Sequence, residues 1–420
     1  MEANTKVDSN KTKSVKKKND NTKLIEFIKK YAMVIVLALV LIFFAITTGG
    51  KILLPNNISN IIAQNAYVFV LATGMLLCIL LGGSIDLSVG SVVCFVGAVG
   101  AQLLVVFHVP VPVAIFLMFA VGIAIGATQA FWIAYVRIPP FIVTLAGMLI
   151  FRGASNIVLN GLTVSVADEK YEPFVKLFGG GADCYVPDFI GKIIGVTSIN
   201  ITCLVVGFLA VAVYLFFTIR TRVIRRSKGY EVEKIAGWLI KMILISAVIV
   251  AVTILLSLYK GIPSALLIVM IVVIVYTYIT SSTTVGRHFY AAGGNEKATK
   301  LSGINTNRIF FLAYTNMGFL AALAGMITVA RMTSAQPTYG QNYEMDAISS
   351  CFIGGAAAYG GIGTVPGAII GAVLMGIINL GMLTMGVDQN MQKIVKGLVL
   401  MGAVIFDVVS KRGFKLIAKN

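Results

Sequence analysis

Apolar runs of about twenty residues recur along the chain, separated by short polar, proline- or glycine-rich interruptions. Stretches at 31–47, 58–81, 89–107, 111–136, 141–159, 199–219, 238–258, 262–280, 309–329, 345–359, 365–385 and 394–409 read as twelve candidate spans. A helix of roughly 20 apolar residues crosses about 30 Å of hydrocarbon. A β-barrel would instead alternate apolar and polar positions over segments of about ten residues, a pattern absent here. The chain therefore reads as an all-α polytopic membrane protein. Glycine interrupts it in each half: Gly82-Gly83 followed by Gly90, and Gly354-Gly355 followed by Gly360-Gly361 and Gly363. If 82–90 and 345–359 are mid-membrane breaks and not ordinary ends, the span count falls to ten or eleven. Interrupted segments in corresponding positions point to a transport pathway between repeats. Close packing through small residues accounts for the same spacing. Pro139-Pro140 ends the fourth span, since proline lacks an N–H and restricts its predecessor.

The polar stretch 282–308 differs from the other interruptions. Between its glycines, 295–301 has the length of about two helical turns. Asn295 has the chemistry of an N-cap, and Gly303 that of a C-terminal stop. Glu296, Lys297, Lys300 and Asn305 are polar, while Ala298, Leu301 and Ile304 recur at helical spacing. Such an apolar stripe either lies in a groove of a partner or packs on this chain's own helix ends.

Composition sharpens the picture. The 420 residues are 58% hydrophobic, with a mean hydropathy of +0.92; soluble domains run nearer ~45–50% apolar. The formal charge of +17 does not indicate nucleic acid, because the cations are segregated. Nine lysines lie in residues 1–30 and seven Lys/Arg between Arg220 and Lys241. With the N-terminus inside, twelve spans return the C-terminus inside, and the inside segments hold 25 Lys/Arg against at most eight outside. That is the positive-inside bias, and it assigns 282–308 to the cytoplasm. The implied organisation is a basic cytoplasmic tail (1–30), close to anionic lipid, a transmembrane domain (31–410) with an extracytoplasmic loop at 161–198, and a cytoplasmic tail (411–420). The N-terminus does not read as a cleavable signal: its basic region is too long and no small-residue site follows Ile46. Cys78, Cys94, Cys184, Cys203 and Cys351 show no paired spacing, so neither disulfide framework nor zinc site is expected.

No catalytic constellation appears, and no metal or cofactor is expected. His108 and His288 have no triad or ligand partner at recognisable spacing. The chain has no Gly-x4-Gly-Lys-Ser/Thr loop, so it does not bind ATP in that manner. Asp86, between two apolar runs, is costly unless solvated or paired, at roughly +3 kcal/mol for a central acid. Either Ser84, Asp86 and Ser88 line a pathway and meet ligand hydroxyls, or the carboxylate caps the next helix, where the dipole favours negative charge. Arg152, about 18 Å along its helix, needs a carboxylate or backbone carbonyls; Glu344 and Asp346 are candidate partners. Asn65, Asn156, Asn316 and Asn379 are amides inside spans, where interhelical hydrogen bonding is the usual role. The candidate pathway set is Asn65, Ser84, Asp86, Ser88, Thr144, Arg152 and Asn316.

Three stretches carry a resemblance: GRHFYAAGGNEKATKLSGI at 286–304, GGSIDLSVGS at 82–91, and PPFIVTL at 139–145 with Arg152-Gly153. Together, over roughly 58–411, they resemble the permease subunits of monosaccharide ABC importers, the ribose, xylose, galactose and multiple-sugar group of the branched-chain-permease-like superfamily. The resemblance implies a non-enzymatic subunit of the cytoplasmic membrane, present in two copies, with a homodimer expected. It implies separate ABC ATPase subunits and an extracytoplasmic sugar-binding protein as partners. It also implies coupling to the ATPase through Gly293, Gly294, Asn295, Glu296, Ala298, Leu301, Gly303 and Ile304. Within 230–278 the ribose type matches less well, which favours xylose or a galactose-like hexose. Two rivals stand beside this reading. An ion-coupled secondary transporter needs intramembrane acids, and only Asp86 qualifies well, since Asp407 is near a span end. A non-transporting scaffold or receptor would not need two glycine-broken segments.

Overall fold

The computed structural model describes residues 33–180, 184–195, 198–232 and 235–412. The basic tail 1–30 and residues 413–420 of the C-terminal tail lie outside the described residues. The backbone is built from helices: α1 (Met33–Thr47), α2 (Pro55–Gln64), α3 (Ala66–Leu80), α4 (Val89–Val105), α5 (Val111–Ala134), α6 (Pro140–Leu159), α7 (Glu172–Leu177), α8 (Phe189–Ile194), α9 (Ile201–Ser227), α10 (Ile235–Ser257), α11 (Ser264–Ser282), α12 (Thr284–Gly294), α13 (Glu296–Leu301), α14 (Thr306–Met332), α15 (Tyr343–Ile353), α16 (Val365–Thr384) and α17 (Gln389–Arg412).

Each of the twelve apolar stretches overlaps a helix, but the helices are unequal. Among the described residues seven are long and apolar enough to cross a membrane, and α2 and α3, bent by 43° at Asn65, pass the same test only when taken together. The stretch read as 345–359 is the eleven-residue α15, about 16 Å long and half a bilayer deep. Much of the basic segment 220–241 is helical: α9 runs on through Arg220, Arg222, Arg225 and Arg226, and α10 begins at Ile235. The coupling stretch holds two helices where one was expected. Gly286 falls in the first turn of α12 and Gly293-Gly294 in its last, positions where glycine does not break a helix.

The core forms around α14, which packs on α3, α4 and α5. It is apolar all round, as a helix surrounded by others must be; 67% of its apolar window is buried, against 11% for α9 and 6% for α10. Small residues let it approach α5. A Cβ on Gly122 would stand 2.6 Å from the Gly318 carbonyl oxygen, and one on Gly318 2.2 Å from that of Gly122. Without a hydrophobic driving force between helices in lipid, such close backbone contact supplies the dispersion energy of association.

The loop end of the molecule is tied by a two-stranded antiparallel pair, β1 (Val164–Ser165) with β2 (Ser334–Ala335), and by Asp188. One Asp188 oxygen accepts from the Gly191 and Thr202 N–H groups (both 2.9 Å) and the Thr202 hydroxyl (2.7 Å), the other from the Ile201 N–H (3.0 Å). It thereby caps α8 and the start of α9 together. Desolvation pushes this carboxyl up, and the hydrogen bonds outweigh it, holding the pKa at about 2. A depressed carboxylate stabilises the fold fully above its unfolded value, about 3.9, and loses that contribution as pH falls through the folded value. Asp188→Asn is expected to lower the melting temperature by a few degrees at pH 7, and the gap to wild type should close between about pH 4 and pH 2. A gap that stays constant down to pH 2.5, followed by thermal scans in detergent, would contradict this role.

Candidate coupling surface and translocation pathway

At the end opposite Asp188, α12 begins with the Thr283 hydroxyl accepting from the Gly286 N–H (3.2 Å). The expected cap of α13 is present: Asn295 Oδ1 accepts from the Ala298 N–H (3.0 Å). Gly303 follows the helix at φ +82, the left-handed stop that glycine adopts without penalty. The apolar stripe does not stay together. Leu301 is 89% exposed and Ala298 also faces outward, while Ile304 is half-buried against the chain's own core. Thr299 is the buried position of α13. Glu296 is held by this chain's own groups. It pairs with Arg137 (2.6 Å) and accepts from the Thr306 hydroxyl (3.2 Å). Arg137 also donates to Thr306 (3.2 Å) and Asn307, and its guanidinium lies 5.5 Å from the Phe310 ring centroid. Both partners are about 40% exposed, so the pair orients α13 against α14 more than it stabilises the fold.

Gly293 connects this surface to the glycine-broken turns. A Cβ there would lie 1.7 Å from the Leu80 carbonyl oxygen and 2.7 Å from the Gly361 nitrogen. Those atoms are themselves joined, Gly361 N–H donating to Leu80 (2.9 Å). A Cβ on Gly83 would stand 1.9 Å from the Ala358 carbonyl oxygen, and one on Gly360 2.3 Å from the Gly82 nitrogen. The turns of the two halves therefore meet each other and the end of α12, backbone against backbone. The second broken segment proposed from sequence, 354–363, belongs to this junction.

A different polar segment enters the middle of the spans. Residues 336–342 lie along α4 and α6. Arg152 donates to the carbonyls of Pro337 (3.2 Å) and Tyr339 (2.6 Å), and Cys94 Sγ to that of Pro337 (3.5 Å). A Cβ on Gly90 would meet the Gly340 carbonyl oxygen at 2.1 Å. Arg152 sits about 18 Å along α6, so the segment dips to mid-depth before α15 starts. Of the two carboxylates expected near it, Glu344 lies within electrostatic reach of Arg152, whereas Asp346 is engaged elsewhere. Asp346 pairs instead with Lys396 (2.8 Å) and accepts from the Tyr67 hydroxyl (2.9 Å), and Tyr67 stacks on Tyr343. Above the dip lies a cleft of about 430 Å³ lined by Gln336, Thr338, Tyr339, Gln341, Asn342, Gln389, Gln392, Lys393 and Lys396. Amide, hydroxyl and aromatic groups of this kind are what a polyhydroxylated ligand needs. The signal was readable as a cluster of amides in 336–342, but its partners on α17 are some fifty residues away.

Of the pathway residues named from sequence, the structure brings Asp86, Ser88 and Thr144 together, while Ser84 donates its hydroxyl to the Leu81 carbonyl (2.8 Å). Asp86 Oδ1 accepts from the Ser88 N–H (2.8 Å) and hydroxyl (2.6 Å), at the residue preceding α4. This is a local side-chain turn before the helix and not a cap, since no first-turn N–H of α4 is bonded by a side chain, and both residues are buried. Thr144 Oγ1 donates to Pro140 (2.9 Å) and lies 3.5 Å from the Ile85 carbonyl oxygen. Gln129, missed from sequence although a polar side chain deep in a span is itself a signal, completes the group 3.0 Å from Ser88. The other three stand apart. Asn65 joins Asn379 across α3 and α16 (3.4 Å), Asn316 accepts from the Tyr276 hydroxyl, and Arg152 holds the dip.

Comparison with known proteins bears on this arrangement. Residues 57–404 match the family model described as branched-chain amino acid transport system / permease component. The xylose transport system permease protein XylH of Haemophilus influenzae is 36% identical over 382 residues, 91% of this chain and 96% of that protein. The XylH protein of Escherichia coli K12 is 34% identical over 382 residues. The ribose import permease protein RbsC of the same strain is 33% identical over 369 residues, 88% of this chain and 91% of that one. No solved structure matches the chain. With a family model matched over 57–404 and similarity along nine-tenths of the length, this chain belongs to the branched-chain amino acid transport system / permease component family.

Proposed function

We propose that the chain is the membrane-spanning permease subunit of an ATP-driven importer for a monosaccharide, with xylose the first sugar to test. The observation that carries this is the near-full-length similarity to xylose permeases, 36% over 96% of one of them. The ribose permeases match at 33% over a smaller share of the chain. In this reading α12 and α13 lie in the cytoplasm, as do both termini, and the exposed Leu301 and Ala298 enter a groove of an ABC ATPase. ATP binding there moves the end of α12, and the glycine junction passes the motion to the turns of both halves. The cleft above residues 336–342 receives the sugar from an extracytoplasmic binding protein. Asp86, Ser88, Gln129 and Thr144 lie further along the same route. Two copies of the chain, as a homodimer, complete the assembly.

The test is sugar-stimulated ATP hydrolysis in proteoliposomes, with the chain co-expressed with an ABC ATPase and a sugar-binding protein encoded beside it. Stimulation by xylose above ribose and galactose is the expected outcome. Sugar flux that follows a proton or sodium gradient without any bound ATPase would replace this reading with the secondary transporter.

A further inference from the structure

The six-residue helix α8 carries an outward apolar surface beside the peripheral pair α9 and α10. Its sequence is Phe-Ile-Gly-Lys-Ile-Ile, with Gly191 buried. At about 100° per residue, Phe189, Ile190, Ile193 and Ile194 share an arc of about 140°. Phe189 is 60%, Ile193 84% and Ile194 62% exposed. The depth of α8 is fixed by its bonds to α9. The Ile190 N–H donates to the Thr202 hydroxyl (3.0 Å), and the Asp188 carboxylate accepts from Gly191 on one helix and from Ile201 and Thr202 on the other. The first turns of the two helices therefore lie side by side. From Ile201 to Ile219 α9 is apolar, about 28 Å and enough to cross the hydrocarbon, so its first turn stands at a boundary of that layer. The neighbouring groups agree. The Asn200 N–H donates to the Ser257 carbonyl at the end of α10 (3.0 Å). Tyr185 and Tyr259 meet edge to face with centroids 5.9 Å apart, and the Lys260 ammonium lies 5.8 Å and 6.0 Å from their rings. Tyrosines are the residues enriched where a membrane meets water.

We infer that α8 lies in the lipid surface, with Phe189, Ile193 and Ile194 among the upper acyl carbons and the exposed Lys192 reaching toward the phosphates. Two observations select lipid over a protein partner. The surface of α8 is continuous with the flank formed by α9 and α10, whose apolar windows are only 11% and 6% buried. The outward side chains of α9 do not form one stripe. Val205, Val206, Phe208, Leu209, Phe216 and Phe217 are all exposed, and they spread over about half of the helix circumference. That is wider than the seam a single packed helix covers, and it is what surrounding hydrocarbon requires. Because Asp188 fastens α8 to α9, the lipid contact of α8 sets the height of the α9–α10 pair in the bilayer. The inference does not depend on what the protein transports.

The full chain is reconstituted in phosphatidylcholine vesicles with both native tryptophans replaced, Trp132→Phe and Trp238→Phe, and one reporter introduced, Ile193→Trp or Phe189→Trp. Its fluorescence is quenched by phosphatidylcholine bearing a nitroxide high on the acyl chain or at the chain's methyl end, and by aqueous iodide. The reference is Glu169→Trp, on the exposed turn Glu169–Tyr171 of the loop. Both reporters should be quenched at least twofold more by the high label than by the methyl-end label, and at least threefold less by iodide than the reference. Iodide quenching equal to that of the reference would place α8 in water and overturn the inference. Quenching by the methyl-end label as strong as by the high label would place it in the bilayer interior, with the same consequence. Shielding from iodide and from both lipid labels would reveal a protein cover, a second copy or a binding protein, and would overturn it too.

Discussion

Alanine at Gly293 is expected to abolish transport, while alanine at its neighbour Gly294 leaves it intact. The added carbon at Gly293 would lie 1.7 Å from the Leu80 carbonyl oxygen. That oxygen and the Gly361 amide belong to backbone and are already hydrogen-bonded to each other (2.9 Å), so no rotamer change relieves the clash. Overpacking costs about 1–3 kcal/mol where side chains can give way. Here the upper end applies, and ~3 kcal/mol against the conformation in which the two turns and α12 are in contact is about a hundredfold shift in its population. At Gly294 nothing lies within 4 Å of the added carbon. The same substitution there reduces only the freedom of the unfolded chain, a gain of up to ~1 kcal/mol. The measurement is sugar uptake and sugar-stimulated ATP hydrolysis in proteoliposomes, with thermal melting as the control for folding. Uptake should fall at least tenfold for Gly293→Ala and stay within twofold for Gly294→Ala. If both alanines behave alike, the junction does not transmit the ATPase cycle.

Leu301→Glu should release the ATPase without disturbing the permease. The side chain is 89% exposed, and surface changes of this kind usually stay within about 0.5 kcal/mol of wild-type stability. In a complex where Leu301 fills a groove, its burial is worth about 1.5–3 kcal/mol. A carboxylate in its place adds an unpaired charge to an apolar site. Affinity should therefore drop by a factor of 100 or more, read as loss of co-purification and of stimulated hydrolysis at an unchanged melting temperature. The comparison variant is Ile304→Glu, whose half-buried side chain packs on this chain's own core; it should lower the melting temperature itself. Unaltered ATPase binding by Leu301→Glu would show that α13 does not dock by this face.

Local features of the candidate site were legible because their physics is local. The cap of α13 is carried by Asn295 and its stop by Gly303, each within three residues of the group it serves. Period did less well. Ala298, Leu301 and Ile304 share a spacing, yet the chain leaves two of them outside and folds the third inward, because α13 ends at Leu301 and the helical register does not continue to Ile304. Asp86 read as either a pathway acid or a cap of the next helix, and its carboxylate instead bonds Ser88 in the turn before α4, whose first-turn N–H groups it does not reach. Arg152 illustrates the opposite case. Its need for acceptors was plain from an apolar helix, but carbonyls at 337 and 339 carry no sequence signal, since every residue has one.

The sequence by itself determined the all-α membrane architecture, the long apolar helices, the capped helix at 295–301 and the presence of glycine-broken segments in both halves. These follow from composition and spacing, because a backbone in hydrocarbon must satisfy its own hydrogen bonds and does so within each helix. Only the tertiary structure decided that Glu296 turns to Arg137, that Gly293 closes on Leu80 and Gly361, that α15 spans half the depth, and that residues 336–342 dip between α4 and α6. Each of these is a contact between positions distant in the chain. In lipid, packing between apolar helices is governed by how closely particular backbones fit, and that fit is a property of surfaces that no single helix contains.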